Sequence, residues 1–205
     1  MLKRWTTLAA MILAVALILT GCTQDGSTTD TDADTEATAT IAPLTEPMYT
    51  DREALYQYYN AVTFDETLES LTEKYGEPVK ETTESGDSYS WVMEDGYGFA
   101  AAFFDSGRLR AKVLYYKDLR QLGEISNATS IDQFSVLNKN YTYAMTCATL
   151  GGRAMELAQI AQDTSDSPEI KRLYVWATPE GDIVQVLFGG DEQLESVNYT
   201  LADDQ

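Results

Sequence analysis

Tyr89 to Leu114 reads YSWVMEDGYGFAAAFFDSGRLRAKVL, and Tyr174 to Tyr199 reads YVWATPEGDIVQVLFGGDEQLESVNY. At a shift of 85 positions the second stretch lies on the first without a gap. Tyr89/Tyr174, Trp91/Trp176, Gly96/Gly181, Phe103/Phe188 and Leu109/Leu194 are identical pairs. The chain has three tryptophans, and two of them occupy equivalent places. Apolar runs of strand length, broken by turn residues, describe a three-stranded antiparallel meander present twice. Asp95-Gly96 is a two-residue hairpin signal, and Asp105-Ser106-Gly107 fits a three-residue loop with glycine in the left-handed position.

Upstream of each meander the periodicity changes from 2 to 3.6. Thr50-Asp51-Arg52-Glu53 reads as a capping box with Thr50 as N-cap, ahead of Leu55, Tyr58, Tyr59 and Val62. Thr63-Phe64-Asp65-Glu66 reads as a second, ahead of Leu68, Leu71 and Tyr75, and Gly76 with Pro78 stops that helix. Ser130-Ile131-Asp132-Gln133 and Thr142-Tyr143 repeat these starts, and Gly151-Gly152 repeats the stop. Val79–Thr83 and Met155–Gln162 are expected as edge strands, the second also compatible with a helix. The expected fold is α+β: two tandem α-α-β-β-β-β modules forming one curved antiparallel sheet, with helices packed on one face. The expected divisions are residues 1–21, 22–48, 49–125 and 126–205, the last two being the modules.

With Asp95-Gly96 centred in its turn, Val92 faces Phe99 and Ser90 faces Ala101. In the second copy Ala177 faces Val184, Val175 faces Val186 and Leu173 faces Phe188. That second set is apolar throughout, which marks it as the face beneath the helices. The open face would then carry Tyr89, Trp91, Tyr174 and Trp176, with Arg108, Arg110 and Lys112 alongside. Exposed aromatics on a sheet make a binding surface, so Tyr89, Trp91, Arg110, Lys112, Tyr174 and Trp176 form the expected partner site. A slip of one residue would place all four aromatics under the helices instead.

The N-terminus carries its own address. Lys3 and Arg4 precede an apolar run from Leu8 to Leu19, then Leu19-Thr20-Gly21-Cys22. A basic start and a short apolar stretch describe a secretory signal peptide over residues 1–21. Leu-Thr-Gly-Cys resembles the bacterial lipobox, which implies diacylation of Cys22 and membrane attachment through that lipid on the extracytoplasmic side. Two or more acyl chains suffice for stable anchoring. Residues 22–48 are acidic and Thr-rich, a composition that does not bury enough surface to order itself. As a coil, this tether would span roughly 25–30 Å.

Of 205 residues, 33 are Asp or Glu and 14 are Lys or Arg, for a formal charge of −19; loss of Lys3 and Arg4 with the signal peptide leaves about −21. Polyanions such as nucleic acid are therefore poor partners. There is no histidine, which removes the usual general base and metal ligand. With Cys22 acylated, Cys147 remains as the free thiol, and its apolar surroundings read as a packed core thiol. Asp87, Glu94, Asp95 and Asp105 could pair for acid–base work in a wall-polymer hydrolase, but they sit where turns need carboxylates. No cofactor, metal site or catalytic residue is expected.

Two short helices, Thr63-Phe64 and Thr142-Tyr143 at a helix start, a Gly stop, then Tyr-x-Trp, a Gly turn and a Phe-containing strand resemble the β-lactamase inhibitor protein-like fold. The resemblance covers about Thr50 to Leu201, and its tandem form implies two modules sharing one sheet. This chain lacks the disulfides of that inhibitor. The resulting expectation is a non-enzymatic, lipid-anchored protein of the cell envelope that binds a protein or peptide through the open face of its sheet. The alternatives are a cell-wall hydrolase or polymer-modifying enzyme, and a structural or sensory ectodomain.

Overall fold

The computed structural model describes residues 51–83, 85–116, 131–151, 154–177 and 182–200. The signal peptide, Cys22 and tether expected from the sequence lie outside them. Two helices come first, α1 (Arg52–Ala61) and α2 (Leu68–Tyr75). Four strands follow, β1 (Val79–Thr83), β2 (Gly86–Val92), β3 (Gly98–Phe103) and β4 (Leu109–Leu114). A 3-10 helix (Ile131–Val136) and α3 (Tyr143–Leu150) precede β5 (Met155–Ala161), β6 (Ile170–Ala177), β7 (Ile183–Phe188) and β8 (Leu194–Thr200). The strands form a single antiparallel sheet in chain order, β1 to β8, so the fold is α+β.

The helices start where side chains can cap them, though not always where the sequence pattern puts the cap. Asp51 caps α1, its carboxylate accepting from the Glu53 and Ala54 amides. Thr50 lies outside the described residues. For α2 the cap is Thr67 rather than Thr63, and Thr67 and Ser70 exchange the two bonds of a capping box. Thr63 spends its hydroxyl on the Asp65 carboxylate instead. Thr67 also bridges to Arg108 at the foot of β4, which fixes the start of α2 against the sheet. Thr142 caps α3 as expected and makes the corresponding bridge to Gln193, 85 positions after Arg108. Gly76 and Gly151 end α2 and α3 at φ 86° and 77°, where a side chain would be strained.

The sheet register corrects the sequence expectation by one residue. Trp91 pairs with Phe99 and Tyr89 with Ala101. Met93 N–H donates to Tyr97 O and Gly96 N–H to Met93 O, so the connection is a three-residue loop, Glu94-Asp95-Gly96, with Gly96 at φ 82°. The Asp95 carboxylate accepts from the Tyr97 amide and also from Gln57 Nε2 and Tyr58 OH on α1. Those helix donors tie the wider loop to α1. In the second half Trp176 pairs with Val184, again 85 positions on, and bulges fall at matching places, before Phe103 in β3 and before Phe188 in β7.

One slipped residue turns every side chain to the other face. The tryptophans and their aromatic neighbours therefore lie under the helices, not on an open face. Trp91 and Trp176 are 2% and 0% exposed. Trp91 stacks on Phe99 at 5.0 Å and joins Val62, Leu71, Ala101 and Leu109 in one cluster. Trp176 joins Leu150, Val184, Val186, Phe188 and Leu194 in another. The opposite face is buried too, through Ala100, Ala102, Ala111, Val113, Ala158, Leu173, Val175 and Ala177. Because both faces are apolar along the central strands, the apolar set could not by itself identify the helix-covered side.

The two tryptophans differ in one respect. The Trp91 indole N–H donates to Gly76 O at 2.8 Å, whereas the buried Trp176 indole N–H has no partner among the described residues. Trp91→Ala and Trp176→Ala should each destabilise the protein by about 3–5 kcal/mol in chemical denaturation. Phenylalanine should separate them, with Trp91→Phe costing about 1–2 kcal/mol more than Trp176→Phe because it alone orphans an acceptor. Near-neutral alanine variants would contradict burial, and equal phenylalanine losses would contradict the hydrogen-bond difference.

Candidate functional site

The structure disperses the six residues read from the sequence as a partner site. Tyr89 is half-buried, edge-on to Phe103 at 5.7 Å, with Lys80 over its ring. Trp91 and Trp176 are core. Arg110 is half-buried at the β3–β4 bulge, its Nε buried without a partner among the described residues. Arg108 turns to Thr164 O and the Asp166 carboxylate. Lys112 shares the tryptophan face as expected, but its head is buried beneath α1. Trp91 edges a small pocket of about 130 Å³ beside β1, and Tyr174 reaches a larger concave surface.

That surface is a cleft of about 580 Å³ between α1 and the start of α3, floored by β5 and β6. Tyr56, Tyr143 and Tyr174 form its walls, Glu156 lies on the floor, and Arg52 and Asn60 stand at the rim. Helical spacing places Arg52, Tyr56 and Asn60 in line on α1. Thr142, by capping α3, delivers Tyr143 as its first residue. Tyr143 and Tyr174 lie 4.5 Å apart between centroids and are tilted by 38°. Glu156 pairs with Tyr174 just before a bulge in β5, an irregularity of the kind that re-aims a side chain.

The floor is joined to α1 by hydrogen bonds. Tyr56 OH donates to Glu156 O at 2.7 Å, and Tyr59 OH donates to Glu156 Oε1 at 2.9 Å. Gln159 Nε2 donates to the same Oε1 at 2.7 Å. Glu156 Oε2 faces Arg172 Nε at 3.7 Å, and Tyr174 bonds the same carboxylate. Burial, chiefly, pushes the Tyr143 phenol up to about 12 and the Tyr56 and Tyr174 phenols higher still. At physiological pH the three tyrosines therefore offer ring faces and neutral hydroxyls.

Lys112 sits behind this floor. Its ammonium donates to Tyr59 O at 3.0 Å and Val62 O at 2.7 Å, the last carbonyls of α1, and lies 4.5 Å from the Tyr59 ring centroid. A cation at a helix C-terminus satisfies carbonyls that the helix leaves open. Cys147 is half-buried on α3 against the Trp176 cluster, consistent with a packing role. Of the acidic residues considered for acid–base work, Asp87 pairs with Lys80 and accepts from Thr82, and Asp95 is occupied by its loop and α1. Among the described residues no group of three or more acidic or thiol side chains converges as for a metal ion.

The sequence reading missed Tyr56, Tyr143, Glu156, Arg52 and Asn60. Their signals were present: a tyrosine-rich helix at Tyr56 to Asn60, and a lone carboxylate inside the apolar strand Met155–Ala161. Nothing in the sequence, however, showed that α1 of the first half and α3 of the second would meet over one floor. No family model matches the chain, and no curated protein matches it.

Burial lowers the Lys112 pKa from 10.5 to about 8. Between those values the folded protein gives up a proton that the unfolded chain keeps, so the unfolded state binds more protons and stability rises with pH. The gain is at most on the order of 3 kcal/mol across that window. It should appear as a widening stability difference between the native protein and Lys112→Met from pH 8 to pH 10. A difference that stays flat over that range would contradict the burial of a titrating ammonium.

Proposed function

We propose that this protein is a lipid-anchored, non-catalytic binding protein of the cell envelope, and that its partner site is the tyrosine cleft between the two halves. The observation that carries the reading is the cleft itself. It is concave, aromatic on three sides, and holds a few convergent polar groups on a hydrogen-bonded floor, which is the usual make-up of a binding site. The aromatic set first read as an open-face site lies in the core, and the reading moves to the cleft with Tyr174 as its one surviving member.

Two tandem β-lactamase inhibitor protein-like modules remain the proposed architecture. In its favour are the hairpins related by 85 positions, the matching bulges and the matching threonine bridges to Arg108 and Gln193. The anchor rests on the lipobox resemblance at Leu19-Thr20-Gly21-Cys22 and on the acidic tether that follows. The cleft offers a protein or peptide partner neutral ring faces and one accessible carboxylate edge, and it has no histidine to move protons.

Palmitate labelling in a bacterial host tests the anchor, and pull-down of envelope components on the full chain tests the site. Label should enter the native protein and be lost in Cys22→Ser. Captured material should be lost in a Tyr143→Ala/Tyr174→Ala double variant and kept in Tyr89→Ala. Label persisting in Cys22→Ser would overturn the anchor. Capture unaffected by the tyrosine substitutions, or capture lost only with Tyr89, would overturn the cleft.

A further inference from the structure

Glu156 is the carboxylate on the floor of the cleft. One carboxylate oxygen, Oε1, accepts from Tyr59 OH and Gln159 Nε2. The other, Oε2, lies 3.7 Å from Arg172 Nε, beyond direct hydrogen-bonding distance, and the Tyr174 hydroxyl bonds the same carboxylate. The side chain is 20% exposed, so water reaches it only in part. A partly buried carboxylate whose cation stands off at that distance gains from a closer, charged donor.

The walls around that carboxylate suit a cation. The face of a tyrosine ring attracts an ammonium or guanidinium group placed within about 6 Å. The protein's own cations already use helix α1 this way: the Arg52 guanidinium lies 5.6 Å over Tyr56, and the Lys112 ammonium lies 4.5 Å over Tyr59. The net charge of −19 adds a long-range attraction for basic partners and a repulsion for acidic ones. An anionic ligand would meet Glu53 and Glu156 as well as this field.

We infer that the cleft receives a basic side chain, lysine or arginine, from a polypeptide partner, its charged head on the Glu156 carboxylate and its stem laid across the contiguous rings of Tyr143 and Tyr174. The inference rests on the cleft being the partner site and adds the chemistry of what enters it. Arg52 then acts as a resident cation at the rim that competes with the incoming one. A positively charged rim residue whose removal strengthens binding is a signature that neither an anionic nor a neutral ligand would give.

The test is titration of the full chain, followed by NMR, with three probes: the blocked peptide Gly-Gly-Lys-Gly-Gly, its Nε-acetyl-lysine form, and chitotetraose as a neutral sugar. The lysine peptide should shift the Tyr143 and Tyr174 resonances, and the acetylated peptide should bind at least roughly tenfold more weakly, about the worth of one desolvated cation contact. Glu156→Gln, which keeps an oxygen to accept from Tyr59, should weaken the lysine peptide by a similar factor. Arg52→Ala, on the exposed rim, should strengthen it. Equal binding of both peptides, weaker binding in Arg52→Ala, or no lysine-dependent shift at the cleft would overturn the inference. Chitotetraose binding alone, lost in Tyr174→Ala, would overturn the cationic ligand while leaving the cleft as a site. Cleft resonances unmoved by every probe, together with capture indifferent to Tyr143 and Tyr174, would overturn both.

Discussion

The buried ammonium of Lys112 holds the C-terminal end of α1 to the middle of the sheet. It comes from β4, the last strand of the first half, and donates to the Tyr59 and Val62 carbonyls at the C-terminal end of α1, the first of which also accepts from the Val62 amide. One turn back on the same helix, Tyr56 and Tyr59 reach over to β5 and hold Glu156 by its backbone and its carboxylate. Helix α1 therefore belongs to both halves. The strand pairing beneath it is short, three residue pairs from Ala111↔Ile160 to Val113↔Ala158. The polar contacts of α1 reinforce the sheet where its own ladder is weakest. A charged group in such a place is stable only while its partners persist, so the seam is specific as well as strong.

The cleft is a consequence of that seam. Where α1 is drawn down onto β5, its outer turn and the start of α3 diverge, and the floor between them is Glu156 and Tyr174. The residues that shape the cleft are thus also residues that join the halves, Tyr56 and Glu156 above all. The same hydrogen bonds of Tyr56 and Tyr59 to Glu156 set the floor of the cleft and hold α1 to β5.

Much of the fold was legible in the sequence, because its signals are local. All eight strands lie along the chain where alternation and turn residues place them, and Gly76, Thr142 and Gly151 end or start helices as read, but β5, read as an edge strand, is an interior one because it pairs with β4 as well as β6. Register was not legible. Asp95-Gly96 is compatible with a two-residue or a three-residue loop, and the choice depends on Gln57 and Tyr58 of α1 bonding the Asp95 carboxylate, a contact from 37 residues or more away. With the apolar faces on both sides of FAAAFF and LYVWA, no burial pattern could correct the slip. The same reason hid the site: Glu156 is visible only as a charge in an apolar strand, and its four tyrosine neighbours come from three separate elements. The two halves also differ in detail. Gly107 has φ 83° in the β3–β4 loop, and Glu192, 85 positions on, takes φ 63° there at a strain of about 1–2 kcal/mol.

The central claim is that β4 and β5 are interior strands of one sheet, locked by Lys112, Tyr59 and Glu156. Amide hydrogen exchange followed strand by strand tests it most directly, because interior strands exchange through global unfolding and edge strands through local fraying. The account predicts that the amides of Ala111 to Val113 and Ala158 to Ile160 that are paired across the seam are among the slowest in the protein, level with those of β2–β3 and β6–β7. Fast exchange at β4 and β5, with slow exchange confined to the two hairpins, would mean two separate sheets and would contradict it.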